Sequence, residues 1–276
     1  MYSLVQSARI KGSAGEPIPH PFRGLQKLDV EFRRGELSLV AAGPGTGKSL
    51  FALNVALYGS MPVMYWSADS NSATQLSRAT AMLTGDDVRS VKKALLENKF
   101  EAYERVLGDK WWIRFSYEAM PTPADLEADL EVYHEVFGCY PHLCVVDNIT
   151  NVDNGGAGDA DSFTFGLEGM CEYLNDMARE TAAHVQALHH VTGEYSDGLK
   201  AIPLSGVKGK ISRVPSLILT IHRDEDEPGM SRILNVSPVK NREGFADASG
   251  STFARLELDS ATLRLKDADE AMSTHF

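Results

Sequence analysis

Eight residues in the first fifth of the chain carry the plainest chemistry: Ala42-Gly43-Pro44-Gly45-Thr46-Gly47-Lys48-Ser49. Glycines at alternate positions let successive backbone N–H groups turn inward around an anion, and a helix starting at the lysine adds the positive end of its dipole. The spacing predicts a P-loop. Gly43, Pro44, Gly45, Thr46, Gly47, Lys48 and Ser49 would cradle ATP, with Lys48 on the β- and γ-phosphates and the Ser49 hydroxyl on Mg2+. The strict pattern opens with glycine, and Ala42 stands there with a side chain that can point away from the phosphates. Asp147 closes the run Leu143-Cys144-Val145-Val146, the form of a strand ending in the carboxylate of a magnesium shell; a capping aspartate is the plain alternative. Asp69 ends Met64-Tyr65-Trp66-Ser67-Ala68 and is a candidate to orient the attacking water, against a solvated turn residue.

These residues need a scaffold, and the pattern supplies alternating strands and helices. Leu37–Ala42 reads as a buried strand, Lys48 to Leu57 as a helix, and Val63–Ala68 as a second strand expected beside the first. Helices follow at Thr74–Leu83, with apolar residues at 73, 76, 79 and 83, and at Asp87–Asn98. Trp111–Ser116 is a strand, and Thr122 before Pro123 caps a helix to about Phe137. His142–Val146 is apolar throughout, as in a sheet covered on both faces. Leu167–Thr181 reads as helix and Val185–Leu188 as strand. Ser216–Ile221, Arg232–Val239, Phe253–Leu258 and Thr262–Leu265 then read as strands without long helices between them. The expected fold is α/β: a mainly parallel sheet flanked by helices and extended by C-terminal antiparallel strands. Residues 1–22 read as an N-terminal arm, extended over the Gly- and Pro-rich 11–22, residues 23–265 as the ATPase domain, and 266–276 as a polar tail.

With those elements in place the chain resembles the RecA-like P-loop ATPases, above all the motor domain of DnaB-type replicative helicases and the RadA-type proteins. Arg34-Gly35-Glu36-Leu37 leads into the loop as it does there, and Trp66-Ser67-Ala68-Asp69-Ser70 resembles the segment carrying the catalytic glutamate, with Asp69 one methylene shorter. Ala187-Leu188-His189-His190-Val191-Thr192 resembles the strand end that senses the γ-phosphate; this implies His190 as the sensor, with His189 the runner-up. Lys240-Asn241-Arg242 resembles the motif with which one subunit reaches its neighbour's nucleotide, implying Arg242 as an arginine finger and Lys240 as its companion. A shared site of that kind implies a homo-oligomer, a hexameric ring in this family. The resemblance also implies single-stranded DNA as partner, through the segment Val191–Arg213. There Lys200, Lys208, Lys210 and Arg213 stand against Glu194 and Asp197, and four glycines suggest mobility. A flexible surface loop with scattered lysines is the alternative.

Composition bounds the rest. The chain has 276 residues, 43% apolar and 24% charged, with a net charge of −11. That charge excludes a protein that coats nucleic acid with its whole surface but leaves a local basic channel open. No apolar run is long enough to span a bilayer, so no membrane association is expected. Three cysteines, Cys139, Cys144 and Cys171, are too few and odd in number for a disulfide scaffold; they read as core residues, and the cluster with His134 and His142 matches no zinc spacing. The acidic segment 151–161 contains Asp153, Asp159 and Asp161, which opens a metal-dependent nuclease reading. Three classes of function remain: a ring motor on single-stranded DNA, a RecA/RadA-type recombination or annealing ATPase, and a regulatory ATPase of the same fold. The resemblance further implies a compact phage- or plasmid-type motor, and so a bacterial host cytoplasm as its setting.

Overall fold

The computed structural model describes residues 2–153, 160–207, 209–223 and 232–268, with backbone alone at 160–165, 209, 210 and 232. A short helix, α1 (Leu4–Ile10), precedes a two-residue strand β1 (Pro17–Ile18), one helical turn α2 (Arg23–Gln26) and β2 (Phe32–Arg33), which pairs antiparallel with β1. Next come β3 (Leu37–Ala42), α3 (Lys48–Tyr58), β4 (Val63–Ser67), α4 (Ser72–Thr84), α5 (Val88–Leu96), α6 (Glu104–Gly108) and β5 (Ile113–Ser116). The second half holds α7 (Pro123–Phe137), β6 (Leu143–Asp147), α8 (Ala160–Thr181), β7 (His184–His190), β8 (Leu217–Arg223), β9 (Arg232–Asn241), β10 (Ala254–Leu258) and β11 (Leu265–Asp267).

Among the described residues the main sheet has nine strands in the order β11-β10-β9-β8-β3-β7-β6-β4-β5. The block from β8 to β5 is parallel; β9, β10 and β11 extend it antiparallel. Strand β3 is buried at all six positions because helices cover both faces. One apolar cluster joins α3 to the sheet through Phe51, Leu53 and Val55, and the other joins α7 and α8 through Leu126, Leu130 and Leu174. Helix α7 begins as its sequence dictates: Thr122 and Asp125 form a reciprocal capping box, with Pro123 in the first turn.

Several expectations need correction. Strand β4 is not beside β3; β7 and β6 lie between them. Parallel pairings join residues far apart in sequence, so side-chain pattern alone does not order them. The packed domain begins before residue 23: Ile18, His20 and Phe22 are buried, and Phe22 stacks on Phe51 at 5.2 Å. It also runs past residue 265, because Asp267 accepts hydrogen bonds from Arg23 N (2.9 Å) and Gly24 N (2.8 Å). On α4 the apolar set at 73, 76, 79 and 83 is split: Ala79 is buried and Leu83 half-buried against the core, while Ala73 is exposed. Leu76 is exposed, while Gln75 is buried because its amide donates to the Ser67 hydroxyl at 2.9 Å. The last strand shifts from 262–265 to 265–267, since Asp259 accepts from Ala261 N and Thr262 N and holds 259–263 in a turn. Cys144 and Cys171 are core residues whose thiols burial pushes up, but Cys139 is exposed.

Candidate functional site

The candidate site lies where β3, β7, β6 and β4 reach their C-terminal ends. Strand β3 delivers the chain into residues 43–47, and α3 begins at Lys48 with Gly47 as its N-cap and no side chain satisfying its first N–H groups. Gly47 has φ 121°, a conformation a β-carbon resists, so glycine is needed where the loop turns into the helix. The free N–H groups and the helix dipole make this end receptive to an anion.

Lys48 is buried, and its Nζ lies 2.9 Å from His190 Nε2 and 3.2 Å from His190 Nδ1. Burial lowers the ammonium's pKa, opposed by the charges of Asp147 and Asp69. His190 Nε2 is in turn 3.4 Å from Asp69 Oδ2, which accepts from Asn148 Nδ2 at 2.7 Å. The ends of β4 and β6 are drawn together by Asp147 O, which accepts from Ala68 N (2.9 Å) and Asp69 N (3.3 Å). That is how Asp69 reaches the site although its strand is remote from β3. The neighbouring His189 is buried, and desolvation, with the charges of His190 and Lys48, holds it at about 4, a neutral ring at physiological pH.

Asp147 is fully buried, and desolvation pushes its carboxyl up; the Ser49 hydroxyl, the Lys48 charge and the Tyr65 hydroxyl pull it back down. Tyr65 donates to Asp147 Oδ2 at 3.0 Å, while Asp147 Oδ1 finds no hydrogen-bond partner among the described residues. A buried carboxylate oxygen without a donor, with a hydroxyl at hand, is a donor set suited to a hard cation such as Mg2+. Thr46 Oγ1 is likewise buried without a partner among the described residues.

The segment 191–213, expected from its glycines to be mobile, is packed. Ile202, Val207 and Ile211 are buried, and three 3-10 turns shape it. Its first part covers the glycine loop: a β-carbon on Gly198, at φ 70°, would overlap Thr46 Oγ1, and one on Gly43 would meet Ser196 O at 2.5 Å. Arg223 N holds Gly198 O at 2.7 Å. Of the expected cations, Lys200 is exposed and Arg213 faces Glu168 at 3.7 Å. Lys208 and the Lys210 side chain lie outside the described residues, as do Asp159 and the Asp161 side chain of the nuclease reading.

Lys240 and Arg242 are at the other end of the sheet. Lys240 pairs with Ile218 and Asn241 with Leu217, which is level with Ser38 at the start of β3. About 13 Å of strand therefore separates them from the glycine loop of their own chain. Lys240 Nζ donates to Ser212 O (2.7 Å) and Arg213 O (2.9 Å), and Arg242 donates to Arg213 O at 3.1 Å. Burial and the Arg242 charge bring Lys240 down to about 8.

Thus Lys48, Ser49, Asp69, Asp147 and His190 come together, and Lys240 and Arg242 do not join them. Asn148, Tyr65 and the 195–198 cover escape sequence reasoning. Tyr65 had a signal: it stands two residues before Ser67, the ladder partner of Asp147, and so shares its face.

A glycine loop between a buried strand and a helix, on this sheet order, defines a P-loop ATPase of RecA-like fold. The family described as AAA domain matches residues 13–194, and the chain belongs to it. It is 46% identical over 267 residues to the Gene 65 protein of Mycobacterium phage L5, covering 97% of this chain and 99% of that one. It is 47% identical over 231 residues to the Gene 65 protein of Mycobacterium phage D29, covering 84% and 99%. The fold is shared with a solved ATPase domain (TM-score 0.76, 17% identity, 96% of each chain). A DnaB-like replicative helicase studied with primase also has it (TM-score 0.78, 17% identity, 98% of this chain and 68% of that one). Among the described residues no helix is long and apolar enough to cross a membrane.

Proposed function

We propose that this ATPase is a phage DNA motor. It would hydrolyse ATP between subunits of a homo-oligomeric, hexameric ring and move along single-stranded DNA in replication or recombination, as a helicase in the bacterial host cytoplasm. The observation carrying this reading is the contact of Lys48 with His190, which ties the phosphate-binding lysine to the end of β7, directly before the 191–213 segment, and which continues through Asp69 to Asn148 at the ends of β4 and β6. A motor needs such a link between the nucleotide and the part that grips its track.

In this reading Gly43 to Ser49 bind the phosphates, and Asp69 accepts a proton from, or orients, the attacking water. Ser49 and Asp147 would hold Mg2+, which neutralises phosphate charge. His190 reports whether the γ-phosphate is present. Arg242 and Lys240 complete the neighbour's site, and Lys200, Lys208, Lys210 and Arg213 follow the DNA backbone. The test is the ATPase rate with and without single-stranded DNA, followed by unwinding of a forked duplex. The expected result is a rate that rises with DNA and unwinding that needs ATP. A rate indifferent to DNA would leave an ATPase and remove the motor.

A further inference from the structure

Helix α4 carries a polar side chain where the core would take an apolar one. Gln75 is 1% exposed, on a helix whose buried residues include Ala79 and Met82, and its Oε1 finds no partner among the described residues. An amide buried with its oxygen unsatisfied costs stability, and an apolar side chain of the same length would avoid that cost. Stability therefore does not explain the residue. What Gln75 does make is a hydrogen bond from Nε2 to the Ser67 hydroxyl at 2.9 Å.

The direction of that bond is fixed by the next one. Ser67 Oγ lies 2.8 Å from Ser70 O, which can only accept, so the single hydroxyl proton goes there and an oxygen lone pair takes the Gln75 N–H. Gln75 thereby aims the hydroxyl, and the hydroxyl closes the turn from Ser67 to Ser70. Asp69 lies inside that turn. Its backbone N is held from the other side by Asp147 O at 3.3 Å, and its Oδ2 accepts from Asn148 Nδ2 at 2.7 Å. Where the other carboxylate oxygen faces then depends on the backbone of 68–70, which the Gln75–Ser67–Ser70 contacts restrain. Arg78, three residues further along α4, reaches the Ser70 hydroxyl at 3.5 Å.

We propose that Gln75 is a positioning residue for ATP hydrolysis: through the Ser67 hydroxyl it holds the 67–70 turn so that Asp69 presents its carboxylate to the attacking water. This rests on the role given to Asp69 above and adds α4 to the site. Both contacts run to the turn rather than to the glycine loop, so their loss falls on turnover and spares ATP binding.

The test compares wild type, Gln75→Met, Ser67→Ala, the double variant, Ala79→Gly and Asp69→Asn as full-length proteins. Each is measured for kcat of ATP hydrolysis, for ATP affinity by equilibrium titration and for its thermal midpoint. Gln75→Met keeps the length and removes the amide. Its kcat should fall about tenfold, the effect of a misaligned catalytic group, with no fall in the midpoint. Its ATP dissociation constant should move by less than about twofold. Ser67→Ala should match it, and the double variant should lose no more than the worse single one, because the two residues act as a unit. Ala79→Gly, which weakens the same helix without touching these contacts, should lower the midpoint and leave kcat unchanged. An unchanged kcat in Gln75→Met, affinity lost in step with kcat, or losses that multiply in the double variant would each overturn the proposal. With Asp69→Asn inactive, such a result leaves the role of Asp69 standing; Asp69→Asn turning over at the wild-type rate would overturn that role and the proposal together.

Discussion

At the scale of single residues the decisive group is Asp147, because a buried carboxylate is ionised only as far as its donors compensate for burial. Ser49, Lys48 and Tyr65 do so, and Oδ1 has no donor among the described residues. Tyr65→Phe removes one donor and nothing from the packing of the ring. The carboxyl then rises further, so at a given pH less of it is ionised. The expected outcome is a Mg2+ requirement raised about tenfold, the worth of one hydrogen bond to a charged group. The acid limb of the pH–rate profile should also move toward neutral. A Mg2+ titration of ATPase activity checks this; an unchanged requirement would remove Tyr65 from the site. Lys48, Ser49 and Asp147 were legible in the sequence because their signals are local, a loop and a strand end. Asp69 was a candidate from its strand end and gained from the family resemblance, His190 needed that resemblance, and Tyr65 and Asn148 stayed hidden because they act across pairings between segments some 80 residues apart.

At the scale of elements, the limits of β3 and α7 were readable because a glycine loop and a Thr-Pro cap mark them, whereas the position of β4 and the packed state of 191–213 were not. The glycines of that segment suggested mobility; Gly198 is there because the chain passes against Thr46. Gly198→Ala would strain a left-handed residue by about 1 kcal/mol and push the cover off the glycine loop. ATP affinity should fall about fivefold or more, measured by equilibrium titration, and equal affinity would show that the cover and the loop are independent. His184, the first residue of β7, gives a second element-scale prediction. Its Nδ1–H donates to Arg33 O at 2.9 Å, and its Nε2 accepts from the Ser38 hydroxyl at 2.8 Å, a pattern only the neutral ring can make. Burial holds it at about 4, against about 6.5 when unfolded. Between those values the unfolded chain binds the extra proton, so stability falls as pH falls, by about 2 kcal/mol at pH 5 from this residue. Urea unfolding at pH 7 and pH 5 should show that drop, and His184→Asn should lessen it by the same amount while costing stability at both.

At the scale of the whole molecule, the placement of Lys240 and Arg242 sets the strongest constraint. They stand at the edge where β3 begins, and the glycine loop stands where it ends. The segment 191–213 spans the two: its start covers the glycine loop, and its end, at Ser212 and Arg213, accepts hydrogen bonds from Lys240 and Arg242. If Arg242 acts on a nucleotide, that nucleotide belongs to another subunit, in a head-to-tail arrangement that either closes as a ring or continues as a filament. Lys48→Ala and Arg242→Ala should then each abolish hydrolysis alone. Mixed in equal amounts and allowed to exchange subunits, they should regain activity. At about a quarter of the interfaces an intact glycine loop from one variant would meet an intact arginine from the other. Were the two residues to serve the same subunit's nucleotide, every subunit in the mixture would carry one defect and the mixture would stay inactive. ATPase activity of the mixture, with size-exclusion chromatography confirming assembly, separates these outcomes, and inactivity of an assembled mixture would remove the shared site.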